Sequence, residues 1–179
     1  MVWEREKSTL SFQNALLVAL SSLFLGMLSQ VAIPLPFTPI PIVIQAQVAL
    51  LFGFLLGPRR ASLAVFAFLI QGALGLPVFA NGATGFMTLI GPRGGYLIGY
   101  MVGAFLIGSI WERMREKTAL KAFFTLCFGN GIVYLLGAAY LSTFIGLKKA
   151  ILLGVAPFVL IDLMKNIACL KILQWIERK

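Results

Sequence analysis

Asp162 and Lys165 stand three residues apart in the middle of the last long apolar segment, Ala150 to Leu170, and Asp162 is the only aspartate in the chain. All five glutamates lie in charged flanks near lysine or arginine, so this one acid occupies the place where burying an ion costs most. Insertion scales put a charge at the centre of a membrane helix at about 2.5–3.5 kcal/mol. At i, i+3 the two side chains share a helix face and partly neutralise each other. Two readings follow. In one, the pair fixes helix packing, with Lys165 snorkelling toward the cytoplasmic side. In the other, the two groups are presented to a solute, because intramembrane ionisable residues face cavities or pathways by default.

Arg93 is the sole charge in the glycine-rich stretch Val78 to Arg93, within Gly91-Pro92-Arg93-Gly94-Gly95-Tyr96. It reads either as an interfacial anchor together with Tyr96 or as a clamp for a carboxylate or phosphate, since guanidinium pairs bidentately with planar anions. A helix starting at Gly94 would add its own attraction for an anion. Asn81 offers both donor and acceptor to an amide-like ligand, or caps a turn beside Gly82. Gln45 and Gln47 follow a proline-rich stretch and need partners if buried, so Gln45 faces a pocket or bonds across helices. Tyr140 is read as an aromatic-belt residue, with ligand contact as the alternative.

The missing chemistry narrows the function. The chain has no histidine, no serine or cysteine with a base beside it, no phosphate loop and no grouped metal ligands. No catalysis, metal or cofactor is therefore expected. Cys127 and Cys169 each lie inside an apolar run and pack as small hydrophobes. A net charge of +9 raises nucleic acid as a partner. The basic residues, however, sit at segment ends rather than on one aromatic-interleaved stretch, which is a topology signal and excludes that partner.

The elements that must position these residues are membrane helices. A chain of 179 residues that is 60% hydrophobic and 12% charged lacks the polar shell of a soluble domain. We expect an all-α integral membrane protein forming one domain over 1–179, with six transmembrane helices in contact with lipid. The segments are Phe12–Ile33, Ile42–Leu56, Ala61–Leu74, Gly94–Trp111, Ala119–Leu141 and Leu147–Ile176. The first, preceded by the charged stretch Trp3 to Lys7, exceeds the 7–15 or so residues of a signal-peptide core and is read as a retained span. It ends at Pro34, Pro36, Pro39 and Pro41, a spacing no helix tolerates. The second and third are short for a bilayer of about 30 Å and predict a tight hairpin at Gly57-Pro58-Arg59-Arg60.

Six spans place both termini on one side. Eleven basic residues fall on that side (Arg5, Lys7, Arg59, Arg60, Arg113, Arg115, Lys117, Lys121, Lys171, Arg178 and Lys179) against Arg93, Lys148 and Lys149 opposite. This asymmetry makes the termini cytoplasmic in a multi-pass protein of the cell membrane, with loops 34–41, 78–93 and 142–149 facing out. Small residues Ala15, Ala19, Ser22, Gly26 and Ser29 paint a seam along the first segment, for packing inside the chain or docking to a partner in the membrane. Gly95, Gly99 and Gly103 form a second seam, read as internal.

Taken in order, several motifs resemble one family. They are Ile33-Pro-Leu-Pro-Phe-Thr-Pro-Ile-Pro-Ile with Gln45, Leu56-Gly-Pro-Arg-Arg, Gly75-Leu-Pro-Val-Phe-Ala, Gly91-Pro-Arg-Gly-Gly-Tyr-Leu-Ile-Gly, and Asp162-Leu-Met-Lys165. Together they look like BioY, the biotin-binding S component of energy-coupling factor (ECF) transporters. The resemblance implies a six-helix S-component bundle that captures biotin from outside and works with a transmembrane T component and two ATP-binding subunits. Ala15-x-x-x-Ala19 matches the helix-one signature that docks on the T component. By the same resemblance, Asp162 and Asn81 would bond the ureido ring, while Lys165 and Arg93 would supply positive charge or hydrogen bonds. An S component for another vitamin, or a membrane assembly subunit in which Asp162 and Lys165 only pair, are the alternatives.

Overall fold

The computed structural model describes residues 12–177, so the expected charged stretch Trp3 to Lys7 and the C-terminal Arg178 and Lys179 lie outside the described residues. In chain order the helices are α1 (Phe12–Ser29), α2 (Gln45–Ala73), α3 (Phe86–Ile90), α4 (Gly94–Arg113), α5 (Ala119–Ile145), α6 (Leu147–Gly154) and α7 (Ala156–Glu177). Two short strands, β1 (Ala32–Ile33) and β2 (Ile42–Val43), lie between α1 and α2.

α2 is not one rod. Gly57 has φ 77° and ψ 171°, a backbone conformation that side chains disfavour, and Pro58 follows it. Proline lacks an N–H and fits the first turn of a new helix, so the two residues end one helix and begin another. Contacts with α1 show that the chain doubles back. The Phe24 ring lies 6.5 Å from that of Phe52, while Ser22 Oγ, one half-turn away on α1, accepts from Gln71 Nε2 at 2.9 Å. In a straight helix residues 52 and 71 would stand about 28 Å apart. The expected hairpin is therefore present. Five helical stretches are long and apolar enough to cross a membrane, and because α2 folds on itself the spans number six.

Several boundaries differ from the sequence expectation: the second segment starts as a helix at Gln45, and in place of the loop expected at 142–149, α5 runs to Ile145 and α6 begins at Leu147, with the turn at Gly146, where positive φ (81°) suits glycine. α1 stops at Ser29, and Ala32–Ile33 instead pairs antiparallel with Ile42–Val43, in register Ala32 with Val43 and Ile33 with Ile42. Pro34 explains this, since the residue before a proline is driven out of the helical region. The ladder closes residues 34–41 into a loop. The sixth segment is split between α6 and α7 at Val155 (φ −123°, ψ −58°), because the Pro157 ring would collide with the carbonyl four residues back. The glycine-rich stretch carries the short helix α3 and a 3-10 turn at Ala80–Gly82.

In lipid no hydrophobic force draws helices together, so close backbone approach must do it. α4 is the centre of that packing. A Cβ on Gly99 would stand 3.0 Å from Val133 Cα of α5, and one on Gly103 would stand 2.8 Å from Leu50 Cδ2 of α2, so this seam is internal as expected. Leu50, Phe68, Ile107 and Leu126 are buried between the helices. Outward-facing Leu20, Met27, Leu135 and Met164 remain exposed, the inverse pattern of a soluble protein and the one a bilayer requires. The α1 seam divides. Ser22, Gly26 and Ser29 are buried against the rest of the chain, whereas Ala15 and Ala19 are exposed.

Candidate functional site

Asp162 lies two turns into α7, 7% exposed, and both of its oxygens are engaged. Oδ1 meets Lys165 Nζ at 2.9 Å, and Oδ2 accepts from Tyr134 Oη at 2.5 Å. The cost of the buried carboxylate is thus offset by one cation and one charge-assisted hydrogen bond. Lys165 does not snorkel away, because its ammonium also donates to the Val43 carbonyl of β2 at 2.9 Å. The pair therefore reaches from α7 to the base of the proline loop.

Beneath the pair lies a polar cluster. Gln47 Nε2 donates to Asn130 Oδ1 at 3.2 Å and to Asn166 Oδ1 at 3.0 Å. Asn130 Nδ2 donates to Asn166 Oδ1 at 3.1 Å, and Asn166 Nδ2 points at Cys127 Sγ at 3.6 Å. Helix spacing puts these residues under the acid: Asn166 follows Asp162 by four on α7, and Tyr134 follows Asn130 by four on α5. Gln47 Oε1 is buried with no hydrogen-bond partner among the described residues.

Two adjoining cavities open above this cluster, each leaving about 30 Å³ to the centre of a water molecule. Asp162, Lys165, Tyr134 and Asn130 line one of them. Arg93, Gln45, Thr88 and Phe79 line the other. Ile40, Pro41, Val43, Tyr96 and Tyr100 belong to both and form the wall between them. That space holds about two waters on each side. A larger solute fits only once part of the wall moves aside; the proline loop supplies two of its five residues, Ile40 and Pro41, and β2 supplies Val43.

The aromatic side of the wall is rigid. Tyr96 is buried and donates from Oη to the Gly154 carbonyl at 2.9 Å, the group left over where α6 ends. A Cβ on Gly137 or Gly154 would run into its ring or hydroxyl. Tyr96 is therefore a core residue and not the interfacial anchor that its place beside Arg93 allowed. Arg93 precedes the first residue of α4 and donates from Nε to the Pro39 carbonyl at 2.9 Å. Desolvation draws its pKa below the ordinary arginine value, with Tyr100 acting in the opposite sense. A guanidinium nonetheless stays charged at neutral pH.

The structure thus gathers Asp162, Lys165, Arg93 and Gln45 around one pair of cavities. Gln45 is buried, with Nε2 lacking a partner among the described residues, so it is a donor waiting on the cavity side rather than a helix-to-helix link. Asn81 and Tyr140 are outside the lining. Asn81 is exposed at φ 62°, next to the lining residue Ala80, where it makes the turn possible. Tyr140 donates to the Ile90 carbonyl at 2.9 Å, tying α5 to the end of α3, and meets Phe144 of its own helix edge to face. Tyr134, Tyr100, Asn130 and Asn166 escaped the sequence reading. The four-residue steps from Tyr96 to Tyr100, from Asn130 to Tyr134 and from Asp162 to Asn166 were the signal that could have found them.

Among the described residues no group of histidine, cysteine or acid residues could hold a metal ion. The arrangement can bind a solute that offers hydrogen-bond donors at one end and an anion at the other, with aromatic and aliphatic walls between.

Comparison with known proteins agrees with this geometry. The family described as "BioY family" matches residues 5–179. The chain is 40% identical over 134 residues to the "Biotin transporter BioY" of Thermotoga maritima, covering 74% of this chain and 78% of that one. It is 31% identical over 153 residues to the "Biotin transporter BioY2" of Lactococcus lactis subsp. cremoris, covering 84% and 82%. Among solved structures it is similar to the S-component for biotin from an ECF-type ABC transporter, with a TM-score of 0.84, 29% identity and coverage of 93% and 92%.

Proposed function

Because the chain belongs to the BioY family, we propose that it is a biotin-binding S component that captures biotin from outside the cell and has no enzymatic activity of its own. The observation that carries the reading is the buried Asp162 carboxylate, held between Lys165 and Tyr134 at a cavity whose neighbour is lined by Arg93. Biotin has matching ends. Its ureido ring presents two N–H donors and a carbonyl, and its valerate tail ends in a carboxylate. Asp162 accepts from the ring, Lys165 holds that acid in place, and Arg93 with the unpartnered Gln45 donor meets the tail. Asn81 and Tyr140 join the site only if loop 78–93 moves over the ligand. The loops at 34–41 and 78–93 form the lid.

The positive-inside asymmetry supports cytoplasmic termini and an outward-facing lid. An S component of this class works with a transmembrane T component and ATP-binding subunits. Ala15 and Ala19, exposed at the inner half of α1, are the surface on which the T component docks. A thermal-shift screen of the purified protein against a panel of vitamins tests the ligand. At a hundred times its dissociation constant a ligand stabilises by about 2.7 kcal/mol. Stabilisation by biotin alone supports the reading. Stabilisation by a different vitamin assigns the same scaffold to that vitamin, and no response to any of them favours the assembly subunit whose Asp162 and Lys165 satisfy only each other.

A further inference from the structure

Asn130 lines the cavity that holds Asp162 and Lys165, but not the adjoining one that holds Arg93. It therefore stands at the end of the site away from the guanidinium. The residue is 6% exposed, and both polar atoms of its amide are tied. Oδ1 accepts from Gln47 Nε2 at 3.2 Å, and Nδ2 donates to Asn166 Oδ1 at 3.1 Å. A carboxamide nitrogen carries two hydrogens, so one is left for the cavity.

Its neighbours in that cavity have less to give. The Tyr134 hydrogen is spent on Asp162 and the Tyr96 hydrogen on the Gly154 carbonyl. The Lys165 ammonium serves Asp162 and Val43, and an ionised Asp162 only accepts. Tyr100 belongs to both cavities and so stands between the two ends of the site.

The cluster that ties Asn130 is costly to bury. Gln47 is 1% exposed and Asn166 0%. Gln47 turns its amide nitrogen to both asparagines, and its own Oε1 is left with no hydrogen-bond partner among the described residues. A buried acceptor without a partner carries its full desolvation cost, and three aliphatic side chains would pack between α2, α5 and α7 without it. What the polar cluster supplies instead is one amide held in a fixed orientation at the cavity wall.

Biotin has a group for that amide. Its ureido oxygen lies at the end of the molecule away from the valerate carboxylate, as Asn130 lies at the end of the site away from Arg93. A carboxylate that accepts from the ring N–H groups also pushes charge onto this oxygen, and hydrogen bonds linked in this way strengthen one another.

We propose that Asn130 is a specificity-determining residue that donates its free Nδ2 hydrogen to the carbonyl oxygen of a cyclic urea whose N–H groups face Asp162. Gln47 and Asn166 are positioning residues that hold its amide. The proposal rests on the biotin reading and names the atom by which the site tells a urea from its analogues. A site built to hydrogen-bond one group rejects the analogue that lacks it, because its own polar atoms are then left unpaired.

The test titrates the purified full chain with biotin, with desthiobiotin, which keeps the cyclic urea, and with 2-iminobiotin, which carries a nitrogen with its own hydrogen in place of the oxygen. Wild type is compared with Asn130→Leu and Asn166→Leu. Asn130→Leu should weaken biotin and desthiobiotin alike by about tenfold and 2-iminobiotin by less than about threefold, so that the preference for the oxygen collapses. Asn166→Leu should move the same ratio in the same direction by a smaller factor, since it acts through Asn130. An equal loss for all three ligands is a packing effect and overturns the proposal, as does full biotin affinity in Asn130→Leu. Failure of wild type to bind biotin or desthiobiotin overturns the biotin reading itself. Should Asn130→Leu not fold, Gln47→Met, which leaves Asn130 in the wall but removes the donor on its oxygen, is judged by the same ratio.

Discussion

Arg93 donates from Nε to the carbonyl of Pro39 at 2.9 Å, so the guanidinium of one cavity holds the loop that walls it off. Lys165 does the same from the other cavity through the Val43 carbonyl. Arg93 thus ties the proline loop at Pro39, and Lys165, besides pairing with Asp162, ties the strand at the base of that loop. A carboxylate entering the site competes for a donor that keeps the loop shut, and hydrogen bonds to charged groups contribute about 1.5–3 kcal/mol each. Hydrogen exchange over residues 31–44 should accelerate roughly tenfold or more in Arg93→Gln without ligand, and should slow in wild type when biotin is added. Exchange that is the same in all three states would rule out the latch.

Asp162→Asn should weaken biotin binding more than about tenfold, or 1.4 kcal/mol, in isothermal titration. An amide keeps the shape but replaces an acceptor with a donor that faces the ring's N–H groups. The exchanged pair, Asp162→Lys with Lys165→Asp, separates the two roles. A purely structural pair tolerates the exchange, whereas a ligand site loses affinity because the acceptor has moved by nearly one turn.

Tyr134→Phe removes the hydrogen bond at 2.5 Å and nothing else from the wall. The carboxylate then has Lys165 alone. Thermal stability should fall by about 1.5–3 kcal/mol, with some loss of affinity but less than in Asp162→Asn. A variant as stable as wild type would mean that water replaces the phenol without cost.

Gly95 packs where a Cβ would stand 2.5 Å from the Leu136 carbonyl, and backbone cannot step aside as a side chain can. Gly95→Val should separate α4 from α5, tilt Tyr96 and Tyr140, and destabilise by about 1–3 kcal/mol or more. Unfolding in a mild detergent series measures it. Gly131, with open space around it, is the control, and its alanine variant should unfold like wild type.

Ala15→Trp and Ala19→Trp place bulk on an exposed face and should leave biotin affinity unchanged. Co-purification with a T component should drop steeply, since small residues there permit close helix approach. Intact assembly of both variants would move the docking surface elsewhere.

Much of this was legible in the residues. Gly57-Pro58 marks the hairpin because proline cannot continue a helix and glycine accepts the positive φ before it. Asp162 and Lys165 were visible because a charge in an apolar run is conspicuous. The rest was hidden for a physical reason. Tyr134 and Asn130 on α5 and Asn166 on α7 are uncharged residues in apolar helices, so their importance arises only when the two helices bring them together beside Asp162. Nothing local separates Tyr96, buried on Gly137 and Gly154, from Tyr140, which ties α5 to α3 outside the cavity lining. Likewise, the seam on α1 reads as uniform in sequence, yet among the described residues only Ser22, Gly26 and Ser29 are buried while Ala15 and Ala19 are exposed.

That uneven seam makes α1 a lever. Its C-terminal end is pinned: Ser29 Oγ donates to the Val78 carbonyl, and Gln30 Nε2 to those of Pro77 at 2.8 Å and Phe79 at 3.4 Å. Phe79 is also a wall of the Arg93 cavity. At the other end Ala15 and Ala19 are exposed among the described residues. A helix of 18 residues is about 27 Å long, so a tilt of about 10° around the pinned end sweeps the free end through about 5 Å. A force applied at the Ala15 end is thereby delivered, over the length of α1, to the carbonyl of Phe79, which lines the Arg93 cavity.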